Sequence, residues 1–386
     1  MFLINIVMNS NHEIFKHKHI LLVPDHTNPL GIVRSLGEEG IKPIVLLYTR
    51  NPILVNKSKY VGELHQFSNL DEAFEYLVSH YGNEEYKPFI YNGSDDVTLL
   101  LDTHYEELKD KFYFTNGQGC LEKYLQKFDI TQAAEECGMK IPKEELLSVG
   151  ELPKTLKYPV FTKAATSTIK GGWKKQAHIC NNEEELLAVY KTINTDKILV
   201  QEYVQKKNEL CINGMSISGG AKNVIPYVCS YYRLRPDSYG GYEFLFPFND
   251  EILAEKISKL LKVTHFSGIF DIEFLIGEDD ELYFMEINFR NSGCSYACTD
   301  GGFNLPFRWA VSTLQNKLYL DGFKPILKFD AMNEIGDYYD SVKTKKVSIF
   351  NWIKELKGCK SYYLYNAKDP APFRNFIFQK IKKKLC

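Results

Sequence analysis

The spacing of apolar and polar positions changes period several times along the chain, and its clearest passage is residues 268–290, GIFDIEFLIGEDDELYFMEINFR. β-Branched and aromatic residues flank a Gly/Asp turn, which predicts a strand over 268–276, a turn over 277–280 and a returning strand over 281–288. With Ile276 opposite Glu281, Asp271 faces Glu286 and Glu273 faces Phe284. Side chains alternate between the faces of a strand, so Asp271, Glu273, Glu286 and Asn288 share one face. The neighbouring Phe270, Ile272, Phe274, Met285 and Ile287 predict a buried sheet, where unpaired acids are rare. Carboxylates crowded there need a counter-charge, and oxygen-only donors favour Mg²⁺ or Mn²⁺ over zinc.

Upstream, residues 20–48 read as strand, polar turn, helix and strand: HILLV, PDHTNPLG, IVRSLGEEG and PIVLLY. This is βαβ grammar, and it predicts parallel strands in a Rossmann-like N-terminal domain. GxGxxG is missing, so dinucleotide binding is not expected. A strand over 88–92 runs into GSDD and a helix over 97–109, so Asp95 and Asp96 either face a ligand or cap the helix. Residues 121–142 predict an amphipathic helix stopped at Gly138.

A strand over 159–163 ends on Lys163 and enters a Ser/Thr/Gly loop that returns to a strand near His178. Glycine-rich backbone can approach phosphates, and a fixed ammonium adds a point charge. Residues 198–210 then form an apolar strand leading to Glu202 and, seven positions on, Glu209. Arg233 and Arg235 alternate with apolar residues and share one face of a predicted strand. They suit either a substrate carboxylate or phosphate, or a structural ion pair.

Composition narrows the class. The 386 residues allow two or three domains, and 47 basic against 49 acidic side chains give no field for nucleic acid. No run approaches the ~18–20 apolar residues of a membrane span, and the N-terminus fits a signal peptide poorly. The nine cysteines lack CxxC and the nine histidines lack HExxH, so neither a disulfide framework nor a zinc site is expected. A reduced, cytoplasmic protein is expected, with Cys294 and Cys298 as small buried residues. The tail KIKKKLC reads as a solvated helix end.

The hairpin, with an acid at Glu273 followed 13 positions later by Glu286, Asn288 and Arg290, resembles the metal hairpin of the ATP-grasp superfamily. That resemblance implies an α/β protein with an N-terminal Rossmann-like (pre-ATP-grasp) domain over 1–120. It also implies a small α+β lid over 121–200, a larger α+β subdomain over 201–325 and an accessory segment over 326–386. By the same resemblance, Lys127 and Lys163 bind ATP, and Ser167, Thr168, Gly171 and Gly172 form the phosphate-covering loop, with Lys170, Lys174 and Lys175 as further contacts. Glu202 and Val204 read adenine and Glu209 the ribose, while Glu273, Glu286 and Asn288 hold Mg²⁺ or Mn²⁺. Arg290 stabilises the transferred phosphoryl or the acyl phosphate, and Arg233 and Arg235 are candidates for the acyl-donor carboxylate or the transferring phosphate. Asp271, outside the metal set, is left to orient Arg290, contact the amine or act as its base.

GSDD, the following helix with His104, and DPAPF at 369–373 are most similar to the carboxylate-amine ligase branch that includes D-aspartate ligase. Such an enzyme joins a small-molecule carboxylate to an amine through an acyl phosphate, with an amino acid as one partner and a cell-envelope precursor as a candidate for the other. Carboxyphosphate-type carboxylation and a non-catalytic ATP-binding protein are the alternatives, and a homodimer is left open.

Overall fold

Every side chain of HILLV is buried, as a strand covered on both faces requires. The computed structural model describes residues 13–165, 177–193, 195–234 and 240–385. In it, β1 (His19–Val23), β2 (Ile44–Leu47), β3 (Glu63–Gln66), β4 (Phe89–Asn92) and β5 (Tyr113–Phe114) form a parallel sheet in the order β3-β2-β1-β4-β5. Helices α1 (Thr27–Glu38), α2 (Leu70–Tyr81) and α3 (Asp95–Thr103) connect its strands. The expected Rossmann-like domain is therefore present. The helix expected over 97–109 is broken at His104, after which a short helix spans Tyr105–Leu108.

The helix expected over 121–142 is also two pieces, α4 (Leu121–Tyr124) and α5 (Lys127–Glu136). Gln126 between them is extended, with ψ 123°, and the Lys127 N–H donates to Ala165 O at 2.8 Å instead of continuing a helical ladder. Gly138 then ends the segment at φ +88°, a conformation that suits glycine. Next, β6 (Glu144–Ser148), β7 (Val160–Ala164), β8 (His178–Cys180) and β9 (Lys197–Glu202) make an antiparallel lid sheet in the order β6-β9-β7-β8. Helix α6 (Glu183–Tyr190) packs Leu186 and Tyr190 beneath it.

The third sheet holds β10 (Lys206–Ile217), β11 (Lys222–Arg233), β12 (Tyr242–Pro247), β13 (Gly268–Gly277), β14 (Leu282–Asn288), β15 (Phe329–Met332) and β16 (Ser361–Tyr362). Its order is β14-β13-β10-β11-β12-β15-β16, antiparallel except for the last pair. The segment beyond 325 thus supplies two strands of this sheet as well as helices α9 (Ile349–Gly358) and α10 (Ala371–Leu385). One face buries Phe270, Ile272, Phe274 and Phe284 against α5 and α7 (Glu251–Val263). The other packs Met215, Tyr227 and Ile269 against α1 and α8 (Leu305–Gln315), whose Trp309 meets Phe89 and Tyr91 edge-on at 5.8 and 5.6 Å. That shared core fastens the large sheet to the N-terminal one.

The hairpin register differs from expectation. Ile276 pairs with Leu282 rather than Glu281, Phe274 rather than Glu273 pairs with Phe284, and Asp271 pairs with Asn288 rather than Glu286. The register shifts between Phe274 and Glu273, leaving Met285 as an extra residue in β14. This bulge interrupts the alternation, so Phe284 enters the core against Phe274 while Glu286, two residues on, lies directly across from Glu273. The polar face keeps its four expected members.

Candidate active site

Two further elements meet at the bulged hairpin. From β13 and β14 come Asp271, Glu273, Glu286 and Asn288; α5 contributes Lys127 and β7 contributes Lys163. Lys127 Nζ donates to Glu286 Oε2 at 2.9 Å. Asn288 Nδ2 donates to Glu273 Oε1 at 3.2 Å and to Asp271 Oδ2 at 3.4 Å, and its Oδ1 accepts from Arg290 Nη2 at 3.0 Å.

The electrostatics sort these groups. Lys127 pulls Glu286 down to about 2 against the effect of burial. Burial would depress Lys127, yet Glu286 outweighs it and the lysine is raised. Glu273 is pushed well above the carboxylate range by burial, then by Glu286 and Asp271. Burial lifts Asp271 to about 7 against the pull of Arg290, and burial with Lys127 nearby lowers Lys163 to about 8. Two acids therefore face each other across the sheet, and Lys127 is hydrogen-bonded to Glu286 rather than to Glu273. The donors Glu273, Glu286 and Asn288 are all oxygen, which fits a divalent cation such as Mg²⁺. Lys127 and Lys163 suit the anionic charge such a cation accompanies.

Arg290 is tied to the N-terminal domain through Asp95 Oδ1, which accepts from its Nε at 2.7 Å. Of the two roles open to Asp95, capping falls instead to Ser94, whose side chain accepts from Val97 N. Asn28 at the start of α1 pairs reciprocally with Asn291, each Nδ2 donating at 2.6 Å. Beside Arg290 opens a cavity of about 390 Å³ lined by His26, Gly93, Tyr363 and Phe376 among others.

The remaining sequence candidates are more dispersed. Glu202 ends β9 and accepts from Lys143 N at 3.1 Å; Val204 lies in the link to β10. Glu209, on β10, pairs with Lys206 at 2.8 Å and is near enough to raise Glu273. Arg233 forms ion pairs of 2.5 Å with Asp337 and 2.7 Å with Glu355, the structural role its sequence position left open. Ser167, Thr168, Lys170, Gly171, Gly172, Lys174, Lys175 and Arg235 lie outside the described residues. Sequence reading passed over Cys211, which pairs across the sheet with Glu273. No local motif marks it, because the contact depends on β10 lying beside β13.

No family model matches the chain. N5-carboxyaminoimidazole ribonucleotide synthase of Staphylococcus aureus is 24% identical over 251 residues, covering 59% of this chain and 64% of that protein. The match thus spans under two thirds of the relative's length. The ADP complex of N5-carboxyaminoimidazole synthetase from Staphylococcus aureus superposes with a TM-score of 0.64 at 17% identity, covering 85% of each chain. An L-amino acid ligase from Bacillus licheniformis gives 0.61 at 13% identity, covering 81% of this chain and 79% of that one. The likeness to these solved structures, with a parallel sheet followed by two mainly antiparallel sheets, shows that the chain has the ATP-grasp fold.

Proposed function

We propose that the chain is an ATP- and Mg²⁺-dependent ligase that phosphorylates a carboxylate and passes its carbonyl carbon to an amine nitrogen. The observation that carries this reading is Glu273 directly opposite Glu286, with Lys127 and Lys163 converging on the pair. Glu273, Glu286 and Asn288 would hold the metal, which neutralises charge on the transferring phosphoryl group. Lys127 and Lys163 would bind phosphate oxygens, and Arg290, steadied by Asp95, would orient the acid being activated. The lid, residues 121–200, would exclude water from an activated acyl group that water destroys. Lys170, Lys174, Lys175 and the loop residues Ser167, Thr168, Gly171 and Gly172 would cover the phosphates, with adenine at Glu202 and Val204 and the ribose at Glu209.

Between acids, the similarities favour bicarbonate over the amino acid suggested by the sequence alone. The curated relative and the ADP-bound structure are both named for an N5-carboxy product. Amide formation is the second reading, and the L-amino acid ligase neighbour supports it. Asp271, at about 7, suits proton acceptance from the amine in either case.

The test is ADP release with Mg-ATP and ¹⁸O-bicarbonate, compared with an amino-acid panel in hydroxylamine. Bicarbonate-dependent ADP with ¹⁸O in the released phosphate is the expected result. Hydroxamate formed from an amino acid without bicarbonate dependence would select the amide reading. ATP binding without ADP release under either condition would defeat the ligase assignment.

A further inference from the structure

A second donor cluster adjoins the expected magnesium site and uses different chemistry. Cys211 on β10 is the cross-strand partner of Glu273, and Asp271 lies two residues along the same face of β13. One ligand atom from each, a sulfur and two carboxylate oxygens, all lie within 4.8 Å of one another. Zinc bonds of about 2.3 Å to sulfur and 2.0–2.2 Å to oxygen place tetrahedral donors roughly 3.5 Å apart, so side-chain adjustments of up to about 1.3 Å close the site.

Two further features point to a ligand. Asp271 is 3% exposed, and its Oδ1 is buried with no hydrogen-bond partner among the described residues, while Asn288 holds Oδ2. Cys211 is buried and unbridged, and Tyr231 Oη donates to its sulfur at 3.5 Å, the kind of outer contact that orients a thiolate ligand. Magnesium has little use for sulfur, whereas a thiolate with two carboxylates suits a softer divalent ion.

We propose that Cys211, Asp271 and Glu273 bind a divalent transition ion, Zn²⁺ above all, with an open fourth position. Binding forms a zinc–sulfur bond and releases the thiol proton to solvent. Because Glu273 belongs to both clusters, zinc there removes a ligand from the nucleotide's metal and inhibits turnover. That regulatory consequence rests on the ligase reading; the binding itself does not.

Cobalt(II) serves as the probe, titrated into the full chain without nucleotide. The expected result is a near-ultraviolet sulfur-to-cobalt charge-transfer band saturating at one equivalent and bleached by zinc. Cys211→Ser should lose the band, and Asp271→Asn should keep it with affinity at least ~10-fold weaker. Absence of the band in the wild-type protein, or an undiminished band in Cys211→Ser, overturns the site. X-ray absorption of the zinc-loaded wild-type protein requires no variant: one sulfur neighbour is expected, and an oxygen- and nitrogen-only shell overturns it. If the ligase reading fails, these spectra still report the site. If it holds, zinc should inhibit ADP release and Cys211→Ser should resist at least ~10-fold; equal inhibition in both proteins overturns the regulatory role.

Discussion

Glu286 illustrates how one side chain can be fixed by its neighbours before any ligand arrives. Lys127 keeps it ionised at all ordinary pH, ready to share its charge with a cation. Glu286→Gln preserves shape and removes that charge, so ADP release should fall by roughly 10²–10³-fold or more while the thermal midpoint changes little. Turnover near wild type would remove Glu286 from the metal site. A second residue reports on acid stability. His19 is buried between Tyr91 Oη and Ile14 O, and burial lowers it from 6.5 to about 4. Its folded value lies below its unfolded one, so the unfolded chain binds the extra proton and stability is lost as pH falls from 6.5 through 4. The loss approaches about 3 kcal/mol below that window. His19→Gln should flatten this part of a denaturation-versus-pH curve.

At the scale of elements, the β10 strand is shaped by Gly214. It pairs with Phe270, and an added Cβ would stand 2.4 Å from that ring and 2.7 Å from Val224 O. Next to it, Asn213 accepts hydroxyl hydrogen bonds from Ser292 at 2.9 Å and Ser295 at 2.7 Å, seating the loop that follows the hairpin. Gly214→Ala should therefore cost about 1–3 kcal/mol in denaturant unfolding. The acidic face of the hairpin was legible from alternation because Asp271 and Glu273 sit on an unbroken strand. The pairing was not, because nothing in DELYFMEIN marks Met285 as the extra residue; the core's demand for Phe284 decides it. Likewise, Lys127 looked like part of a continuous helix because residues 121–136 have helical spacing, while the lid backbone at Ala165 breaks it.

Across the whole molecule, the last part of the chain is joined to the first. Beyond β15, helix α9 (Ile349–Gly358) supplies Glu355 to Arg233, and Asp369 lies just ahead of α10 (Ala371–Leu385). Arg34 of α1 and Asp369 form an ion pair at 3.1 Å with both side chains 0% exposed, and Ser58 Oγ donates to the same carboxylate at 2.8 Å. Asp369→Ala leaves a buried guanidinium without its partner and should cost about 3–5 kcal/mol, measured by urea unfolding. A change under 1 kcal/mol would show that water or another group replaces it. Sequence alone pointed to DPAPF by resemblance but not to this contact, since 335 residues separate the partners.

The Arg34–Asp369 pair also sets an order of events during synthesis. A ribosome releases α1 long before Asp369, so the growing chain must hold Arg34 in water until its partner emerges. The N-terminal sheet and its core with α8 can form earlier, but Arg34 lacks its carboxylate until then. A nascent chain halted before residue 369 should therefore be more protease-sensitive along α1 than the finished chain, and release of the remaining residues should protect it.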